Sequence, residues 1–433
     1  MTISLVICML ACFDMILFVL LKPQVRIGKF RLDTYWPIVL VGACCMISGG
    51  YVEIEAVTSA MLADSAVNPL KILVLFVSMT VLSVFLDEIG FFSYLADKSL
   101  SLAGKNQFRL FLILYVTVAV LTVFTSNDII VLTFTPFICY FAKNAKISPV
   151  PYLVSQFIAA NTWSMMLVIG NPTNIYLATS YGIDFVEYFK VMLLPTIAAG
   201  CVAFIALWLI FRKKLSLPIA PHKSDSVIKD KVLLVIGLIH LGVCTVFLAI
   251  GSYIGAPMWI IAFVSAVSLF ITAAIACAVR KRKPVELTSC LKRAPWQLVP
   301  FVLSMFIMIL ALESCGVTKM FGELLGKTYV TLRYGIASFL SANIINNIPM
   351  SVLFCAIIEN IPIAMREAAV YATVIGSNLG AFLTPIGALA GIMWTMILKK
   401  QGVKYTFFDF IKYGIAVSLP SILAALSVLE ILM

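Results

Sequence analysis

Four consecutive polar residues lie between two apolar arms, residues 108–124 and 129–142: Thr125, Ser126, Asn127 and Asp128. Side-chain amides and hydroxyls, exposed backbone N–H groups and helix N-termini can bind an anion or an oxyacid without a full positive charge in the membrane. Lys and Arg flank the outer ends of both arms, so both ends are expected on one side of a bilayer. We therefore predict a re-entrant hairpin whose tip lies near mid-bilayer, with one long kinked helix as the alternative.

Three further polar clusters interrupt apolar sequence in the same way. They are Asn171, Thr173 and Asn174; Asn343, Asn346 and Asn347; and Ser377, Asn378 and Thr384. Gly and Pro accompany the first and last of these, so we predict broken helices around residues 170–174 and 376–387. The middle cluster is predicted to be the tip of a second hairpin. A hydrogen bond that only packs helices together is the competing role for any single Asn.

The same groups suit a coupling cation. Amide, carbonyl and carboxylate oxygens coordinate Na⁺, for which the candidate ligands are Asn127, Asn171, Asn346 and Asn378. An ionisable side chain at membrane depth costs about 2.5 to 3.5 kcal/mol, which favours a functional role for Asp128. We predict that Asp128 carries H⁺ or Na⁺; the alternative is that it caps the second arm. Asp14, in the first predicted span, is a weaker candidate because it lies outside the hairpins.

The composition is that of a membrane protein. Of the 433 residues, 62% are hydrophobic and 12% are charged, and the mean hydropathy is +1.08. The net charge of +11 arises from short basic clusters between apolar segments, which fits a positive-inside topology better than nucleic-acid binding. His222 and His240 are far apart in the predicted topology, and the sequence has no GxxxxGK[ST] motif. We therefore expect no enzyme activity, no ATP hydrolysis by this chain and no bound cofactor.

Charge and hydropathy predict an all-α polytopic fold with about ten transmembrane spans, two opposed re-entrant hairpins and broken helices at the midplane. Most of the 31 Lys and Arg residues fall in segments placed inside the cell, including the loop at residues 212–231. The spans and hairpin before this loop recur after it with every direction reversed. We therefore predict two inverted repeats, residues 1–211 and 232–433, joined by a cytoplasmic linker. The protein is expected in the cell membrane with both termini outside.

Five motifs resemble the ArsB-type arsenite-efflux permeases over nearly the whole chain. They are LDEIGFF from Leu86, SNDIIVLTFTP from Ser126, RAPWQLV from Arg293, NNIPMSVL from Asn346 and EAAVYATVIGSNLGAFLTPIG from Glu367. This family is part of an ion-transporter superfamily that also holds dicarboxylate and sulfate carriers and NhaD-type Na⁺/H⁺ antiporters. The resemblance implies a transport domain that moves against a scaffold, in an elevator-like manner, and often a dimer.

Two positions depart from the arsenite permeases. Ser377 and Asn378 stand where that family tends to carry Cys-Asp, and IGNPTNI from Ile169 resembles the GTPPN-type loop of dicarboxylate and sulfate carriers. The resemblance implies efflux of arsenite or a related oxyacid, with Na⁺-coupled uptake of a carboxylate or sulfate as the alternative. Na⁺/H⁺ exchange is less favoured because Asp128 is the lone midplane acid. The expected partners are a small-molecule or ion substrate and the lipid bilayer, while a homodimer and a separate ATPase subunit stay open.

Overall fold

The computed structural model describes residues 2–22, 24–27, 30–63, 68–102, 104, 106–218 and 228–433. The helices before residue 219 are α1 (Thr2–Leu21), α2 (Tyr35–Ser48), α3 (Ile54–Leu62), α4 (Pro69–Glu88), α5 (Phe91–Leu102), α6 (Gln107–Phe124), α7 (Asn127–Asn144), α8 (Val150–Trp163), α9 (Pro172–Ser180) and α10 (Phe185–Leu215). Those after residue 227 are α11 (Lys231–Ile250), α12 (Met258–Val279), α13 (Val285–Arg293), α14 (Leu298–Ser314), α15 (Val317–Leu325), α16 (Val330–Ile345), α17 (Asn347–Ile358), α18 (Ile363–Gly380), α19 (Leu389–Lys400) and α20 (Phe407–Leu432). Short 3₁₀ turns at Val168–Gly170 and Pro385–Gly387 precede α9 and α19.

The order of elements from α1 to α10 recurs from α11 to α20. In each run a helical pair, α6–α7 or α16–α17, is followed by a helix, an irregular stretch with a 3₁₀ turn, a short helix and a long final helix. Packing between the two runs is reciprocal. Helix α2 of the first run packs on α14 of the second, and the corresponding helices α12 and α4 pack on each other in the same way. The pairs α7–α19 and α17–α9 are related likewise. The final helices α10 and α20 pack on each other. Such reciprocity is what a twofold relation between two halves produces.

Each predicted hairpin is a pair of helices joined by a tight turn. In the first, α6 ends at Phe124 and α7 begins at Asn127 with Ser126 as its N-cap. In the second, Asn346 alone separates α16 from α17. The turns come where apolar residues give way to Ser, Thr and Asn, which favour caps and turns over helix interiors. The re-entrant position of both pairs in a membrane stays a prediction.

The first break is longer than predicted. Helix α8 already ends at Trp163, so the break begins at Ser164, well ahead of Gly170. It ends where Asn171 caps α9 and Pro172 occupies the first helical position, where a missing N–H costs nothing. The predicted break at residues 170–174 therefore covers only the start of α9 and the last part of the irregular stretch.

The second break was placed too early. Helix α18 continues through Gly380, so residues 376–380 are helical and the irregular stretch begins at Ala381. The glycines there serve packing instead. A Cβ at Gly376 would collide with the hydroxyl of Ser338 and the carbonyl of Gly335 on α16, so glycine lets α16 and α18 approach closely.

Eight helical segments among the described residues are long and apolar enough to cross a membrane. They are Thr2–Val19, Pro69–Glu88, Gln107–Phe124, Phe185–Leu215, Lys231–Ile250, Met258–Val279, Val285–Ser314 and Phe407–Leu432. About ten spans were predicted. The difference arises because α2 has only 14 residues and because irregular stretches divide the two broken elements into shorter helices. The protein is an all-α multi-pass membrane protein with a minor β element.

That β element and several short helices were not predicted. Strands β1 (Gln24–Ile27) and β2 (Phe30–Asp33) pair antiparallel directly after α1. Helix α10 continues to Leu215, so the basic residues assigned to the start of the linker lie in its last turn, where cations suit the helix dipole. The central part of the linker, residues 219–227, lies outside the described residues, and the division into two domains stays a prediction.

Candidate functional site

The two broken elements meet at Asn378. Its Nδ2 donates to Oδ1 of Asn174 at 2.7 Å, while its Oδ1 accepts from Nδ2 of Asn171 and Oγ of Ser164, both at 3.0 Å. All four residues are fully buried, with exposures of 0–2% for the three asparagines and 0% for Ser164. Because Asn378 belongs to α18 and the others to the first break and the first turn of α9, one side chain joins the two halves of the chain.

Side chains at the first break also provide hydrogen-bond partners for its backbone groups. Asn171 Oδ1 accepts from the N–H and the hydroxyl of Thr173, both at 3.1 Å. Asn174 Nδ2 donates to the carbonyls of Ser164 at 2.8 Å and Leu167 at 3.3 Å. At membrane depth an unwound segment needs such partners, because no water supplies them. The polar residues of the break are therefore required for its shape before any ligand is considered.

The first hairpin tip binds the end of α8. Asn127 Nδ2 donates to Oδ1 of Asn161 at 3.0 Å, and Asn161 Nδ2 donates to the carbonyl of Phe157 at 2.9 Å. The second bond fixes the orientation of the Asn161 amide, and this in turn makes Asn127 the donor. Its Oδ1 is left buried with no hydrogen-bond partner among the described residues. A buried oxygen without a donor is a ready contact for a cation or for a hydroxyl of a ligand.

The second hairpin tip binds the second break. Asn346 has φ +72° and ψ 153°, a conformation that costs a non-glycine residue about 1–3 kcal/mol. Its Nδ2 holds the tip in place by donating to the carbonyl of Ile386 at 2.9 Å. Nearby, Asn343 Oδ1 accepts from the N–H and the hydroxyl of Thr384 at 3.0 and 2.7 Å. Contacts of this kind position the tip, and strained backbone of this kind is concentrated at functional sites.

Three predicted site residues make weaker contributions to this network. Asn347 is buried in the first turn of α17, and Thr125 donates its hydroxyl to the carbonyl of Leu121 in its own helix. Ser377 is fully buried next to Asn378, and its hydroxyl has no hydrogen-bond partner among the described residues. The predicted site residues thus lie at the two tips and the two breaks or in the helical turns next to them, with Asn343, Ser377 and Asn378 inside helices. A role in ligand binding stays a prediction for each.

Two small cavities lie between these elements and α4. One of about 10 Å³ is bordered by Thr125 and Ser126 of the first tip and by Thr80 and Ser83 of α4. The other, of about 20 Å³, is bordered by residues of α9, α14 and the second hairpin, and shares Phe76 and Pro172 with the first. Since about 10–15 Å³ is needed for one water molecule, these two cavities have space for little more than water. A larger substrate enters only if the hairpins and α4 move apart.

Asp128 lies in the first turn of α7. The N-cap of this helix is Ser126, so the alternative that Asp128 is the N-cap itself is wrong. Its carboxylate is half-buried and lies near the phenol of Tyr35 on α2. Among the described residues, no hydrogen bond or ion pair reaches this carboxylate. It is therefore free to bind a cation or a proton at the start of the helix.

A polar contact ties the first hairpin to α4. Thr133 of α7 donates its hydroxyl to Oδ1 of Asp87 at 2.8 Å, and Asp87 Oδ2 pairs with Arg293 of α13 at 2.7 Å. Arg293 also pairs with Glu88 at 2.5 Å. The ion pairs fix Asp87 on the α4–α13 side, so the threonine contact must break if α7 slides along α4.

Asn161 is a further candidate site residue, which was not predicted from the sequence. It lies seven residues before the 3₁₀ turn at Val168, as Asn378 lies seven residues before the turn at Pro385. Asn161 therefore occupies the position in the first run of helices that Asn378 occupies in the second. A comparison of the two halves around these turns would have found it. Gln156, which donates to the carbonyls of Ile130 and Val131 on α7, was missed for lack of any such signal.

Residues 34–371 match the family model CitMHS, described as citrate transporter. This match covers more than half of the chain. The chain belongs to the CitMHS family. It is accordingly a membrane transporter and not an enzyme, as the sequence predicts.

One relative has another substrate class in its name. The arsenical pump membrane protein of Escherichia coli K12 is 30% identical over 375 residues, which cover 82% of this chain and 85% of that protein. A 46 kDa membrane protein of Mycobacterium leprae is 25% identical over 378 residues, covering 82% of this chain and 84% of that protein. The predicted resemblance to ArsB-type permeases is confirmed.

A solved structure supports the fold. The YdaH transporter of Alcanivorax borkumensis superposes with a TM-score of 0.55 over 99% of this chain and 97% of that chain, at 15% sequence identity. At this identity the likeness concerns the fold alone. The CitMHS chain thus has a YdaH-like arrangement of helices.

Proposed function

We propose that this CitMHS protein is a secondary active transporter that exports a small uncharged oxyacid of trivalent arsenic or antimony. The observation that carries the proposal is the lining of the two cavities, which consists of hydroxyl, apolar and backbone groups without Lys or Arg. Trivalent arsenic is an uncharged hydroxide acid near neutral pH and both donates and accepts hydrogen bonds. The names of the arsenical pump relatives support the same substrate class.

The site proposed for this substrate is the space between the two hairpin tips and the two breaks. Asn127 and Ser377 offer buried polar atoms that lack partners among the described residues, and Ser126 borders the cavity at the first tip. Na⁺ coordination by Asn127, Asn171, Asn346 and Asn378 is proposed as well, in competition with H⁺ carried by Asp128. In the closed state Asn171 and Asn378 bind each other, so a cation there needs a rearranged amide pair.

Na⁺-coupled uptake of a carboxylate or sulfate is the second candidate. The family description as citrate transporter favours it, and so do the N-termini of α7, α9 and α17, which lie at the tips and the first break and attract anions. A tricarboxylate would, however, place up to three negative charges against a lining without basic residues. This desolvation cost makes the uncharged acid the better match.

The mechanism we propose is elevator-like alternating access between two inverted repeats. Its support is the repeated order of elements and the reciprocal packing of α2 on α14 and α12 on α4. Residues 1–211 and 232–433 would form the repeats, with residues 212–231 as a cytoplasmic linker and both termini outside the cell. The hairpins with the broken helices would move against α4 and α14, which line the cavities. A homodimer and a separate ATPase subunit remain candidate partners, and no nucleic-acid partner is proposed.

The test is uptake of labelled arsenite, sulfate, citrate and succinate into proteoliposomes, with and without Na⁺ and pH gradients. We expect gradient-driven arsenite transport that is abolished by Asn127→Ala and by Asn346→Ala, while both variants stay monodisperse. Accumulation of citrate or succinate in place of arsenite would overturn the oxyacid proposal in favour of the second candidate. Wild-type transport by either variant would remove that tip from the site.

A further inference from the structure

A groove of about 600 Å³ lies between α6, α10 and α11. Its walls are residues 115–124 of α6, residues 185–193 of α10, Thr245 and Ala249 of α11, and Trp163, Met166 and Leu167 at the end of α8 and in the first break. All three helices are long and apolar enough to cross a membrane. Val116, Val120 and Phe124 border the groove and are exposed to the surroundings of the chain. The groove therefore opens toward hydrocarbon.

The polar side chains on the walls of this groove are hydrogen-bonded within the protein. The Tyr115 hydroxyl donates to the carbonyl of Gly200 at 2.6 Å and accepts from Nε1 of Trp163 at 3.2 Å. The Thr245 hydroxyl donates to the carbonyl of Leu241 at 2.9 Å. Walls of this kind do not order water, because a bound water needs two to four polar partners. The groove is therefore suited to an apolar occupant.

The length of the groove matches one leaflet of a bilayer. Phe185 and Leu193, which border it on α10, are about 12 Å apart along the helix axis. Tyr115 and Phe124, which border it on α6, are about 14 Å apart. The hydrocarbon core of a bilayer is about 30 Å thick, so one leaflet contributes about 15 Å. One acyl chain of a single leaflet therefore fits the groove lengthwise.

A second crevice, of about 360 Å³, adjoins the groove at one end. The two share Phe185, and Leu248 in the crevice directly precedes Ala249 in the groove. Lys71 in the first turn of α4, the α10 N-cap Asp184 and Trp259 in the first turn of α12 border the crevice.

These three residues mark a membrane interface. Helices α4, α10 and α12 are all suited to cross a membrane, and all three begin at the crevice. Trp is enriched at the level of lipid headgroups. The crevice therefore lies where a headgroup would be, directly above a groove of the right length for its acyl chain.

The crevice combines a cation with an anion. Lys71 and Asp184 both border it and are both half-buried. One carboxylate oxygen of Asp184 accepts from the N–H of Glu187 at 2.7 Å, and a carboxylate accepts from several donors at once. A phosphate accepts from a lysine ammonium, and a primary ammonium donates to a carboxylate. A headgroup with both groups matches this pair, whereas a purely anionic headgroup would meet the negative charge of Asp184.

We propose that the groove and the crevice together bind one phospholipid with a primary-amine headgroup, of the phosphatidylethanolamine type. One acyl chain lies in the groove, the phosphate lies beside Lys71 and the ammonium beside Asp184. The site joins α6 of the first hairpin to α4, α10 and α11. The inference rests on these two cavities and their charges, so it does not depend on the proposed substrate or coupling ion.

Lipid titration of the delipidated protein in detergent, read by native mass spectrometry, tests the headgroup. Phosphatidylethanolamine should bind about tenfold more tightly than phosphatidylcholine with the same chains, because a quaternary ammonium has no N–H to donate to Asp184. Asp184→Asn keeps the helix cap but removes the charge, and should abolish most of this preference. Glu187→Gln is the control, since Glu187 is exposed and does not border the crevice. Equal binding of the two lipids by wild type, or an unchanged preference in Asp184→Asn, would overturn the proposal.

The same titration tests the groove with a variant that fills it. Ala249→Phe places a ring in the groove and should weaken phosphatidylethanolamine binding about tenfold or more. Ala274→Phe is the matched control, because Ala274 is exposed on α12 and borders neither cavity. Binding by Ala249→Phe at the wild-type affinity would overturn the proposal.

Photo-cross-linking of wild type in vesicles provides a measurement that needs no variant. Phosphatidylethanolamine with a diazirine in its acyl chain should label peptides of α6, α10 and α11 that border the groove. Excess unlabelled phosphatidylethanolamine should suppress this labelling more than excess phosphatidylcholine does. Labelling spread evenly over the lipid-facing helices, or suppressed equally by both lipids, would show only the general contact of a membrane protein with its bilayer and would overturn the site.

Discussion

Nδ2 of Asn378 donates to Oδ1 of Asn174 at 2.7 Å, across more than two hundred positions of sequence. The same side chain accepts hydrogen bonds from Asn171 and Ser164, so the break after α8 is held by a residue of α18. The first break and α18 are thereby parts of one polar junction in the interior. A change at Asn378 should be felt at the first break, because they share these bonds.

Replacement of Asn378 by alanine should destabilise the junction. Asn378→Ala removes three hydrogen bonds to other side chains and a fourth to the carbonyl of Val374. It leaves buried polar groups of Asn171 and Asn174 without partners, at a cost of about 1–3 kcal/mol for each unsatisfied group. We expect a lower Tm in detergent together with loss of transport. Asn360→Ala is the control, because the Asn360 amide donates only to carbonyls in the last turn of α17, which directly precedes it. Equal Tm values for the two variants would contradict a shared junction.

A methyl group at Gly376 should disturb the packing of α16 on α18. The added Cβ would meet the hydroxyl of Ser338 and the carbonyl of Gly335, and such overpacking costs about 1–3 kcal/mol. Gly242→Ala is the matched control, since nothing lies within 4 Å of a Cβ at that position. Thermal unfolding in the same detergent should show a lower Tm for Gly376→Ala alone. A similar Tm for both variants would mean that the two helices separate easily.

The sequence predicted much of this architecture because polar residues in apolar sequence are conspicuous. Asn127, Asn346 and Asn171 were expected at tips and a break, and the structure places them there. Asn161 was not predicted because it lies inside an apolar helix without a neighbouring polar cluster, and its contact with Asn127 depends on how the helices pack. Gly376 was misread as a helix breaker for the same reason, since its function depends on α16 lying against it. Which helices meet is set by tertiary packing, which local patterns do not encode.

The contact between Thr133 and Asp87 should favour the conformation described here, in which the cavities between the hairpins and α4 are small. Thr133→Val keeps the shape of the side chain but removes the hydroxyl that donates to Asp87, a loss of about 1 kcal/mol. That energy corresponds to a population shift of about fivefold. The accessibility of the first cavity is measured with Ser83→Cys, in a background without accessible native cysteines. In the Thr133→Val protein, a small thiol reagent should label this cysteine about fivefold faster. Thr133→Ser should behave as wild type, and equal labelling in all three proteins would show that the contact does not hold the hairpin.

An ion pair at the start of α11 should make stability depend on pH. Burial raises the pKa of Asp230, but hydrogen bonds from the N–H of Leu233 and from Arg280 outweigh it and hold the pKa below its ordinary value. A depressed pKa stabilises the fold above the pKa of the unfolded chain, and this stabilisation is lost as pH falls through the folded value. Asp230→Asn keeps the cap but loses the pairs with Arg280 and Arg282. Its Tm deficit should be largest near neutral pH and shrink in acid; a deficit independent of pH would rule out the charge as its cause.

The last prediction concerns the charge of Asp128. Asp128→Asn keeps the size of the side chain and removes its charge, at a cost to the dipole of α7 of only about 0.3–1 kcal/mol. If the carboxylate carries the coupling ion, gradient-driven accumulation should be lost while counterflow exchange of substrate persists, because exchange needs the moving site but no net ion flux. Both activities are measured side by side in the same proteoliposomes, with Tyr140→Phe, at an exposed position of the same helix, as a control that does not alter charge. Accumulation at the wild-type level in Asp128→Asn would exclude the coupling role and leave the buried oxygen of Asn127 and the Asn-lined breaks as the place where the ion binds.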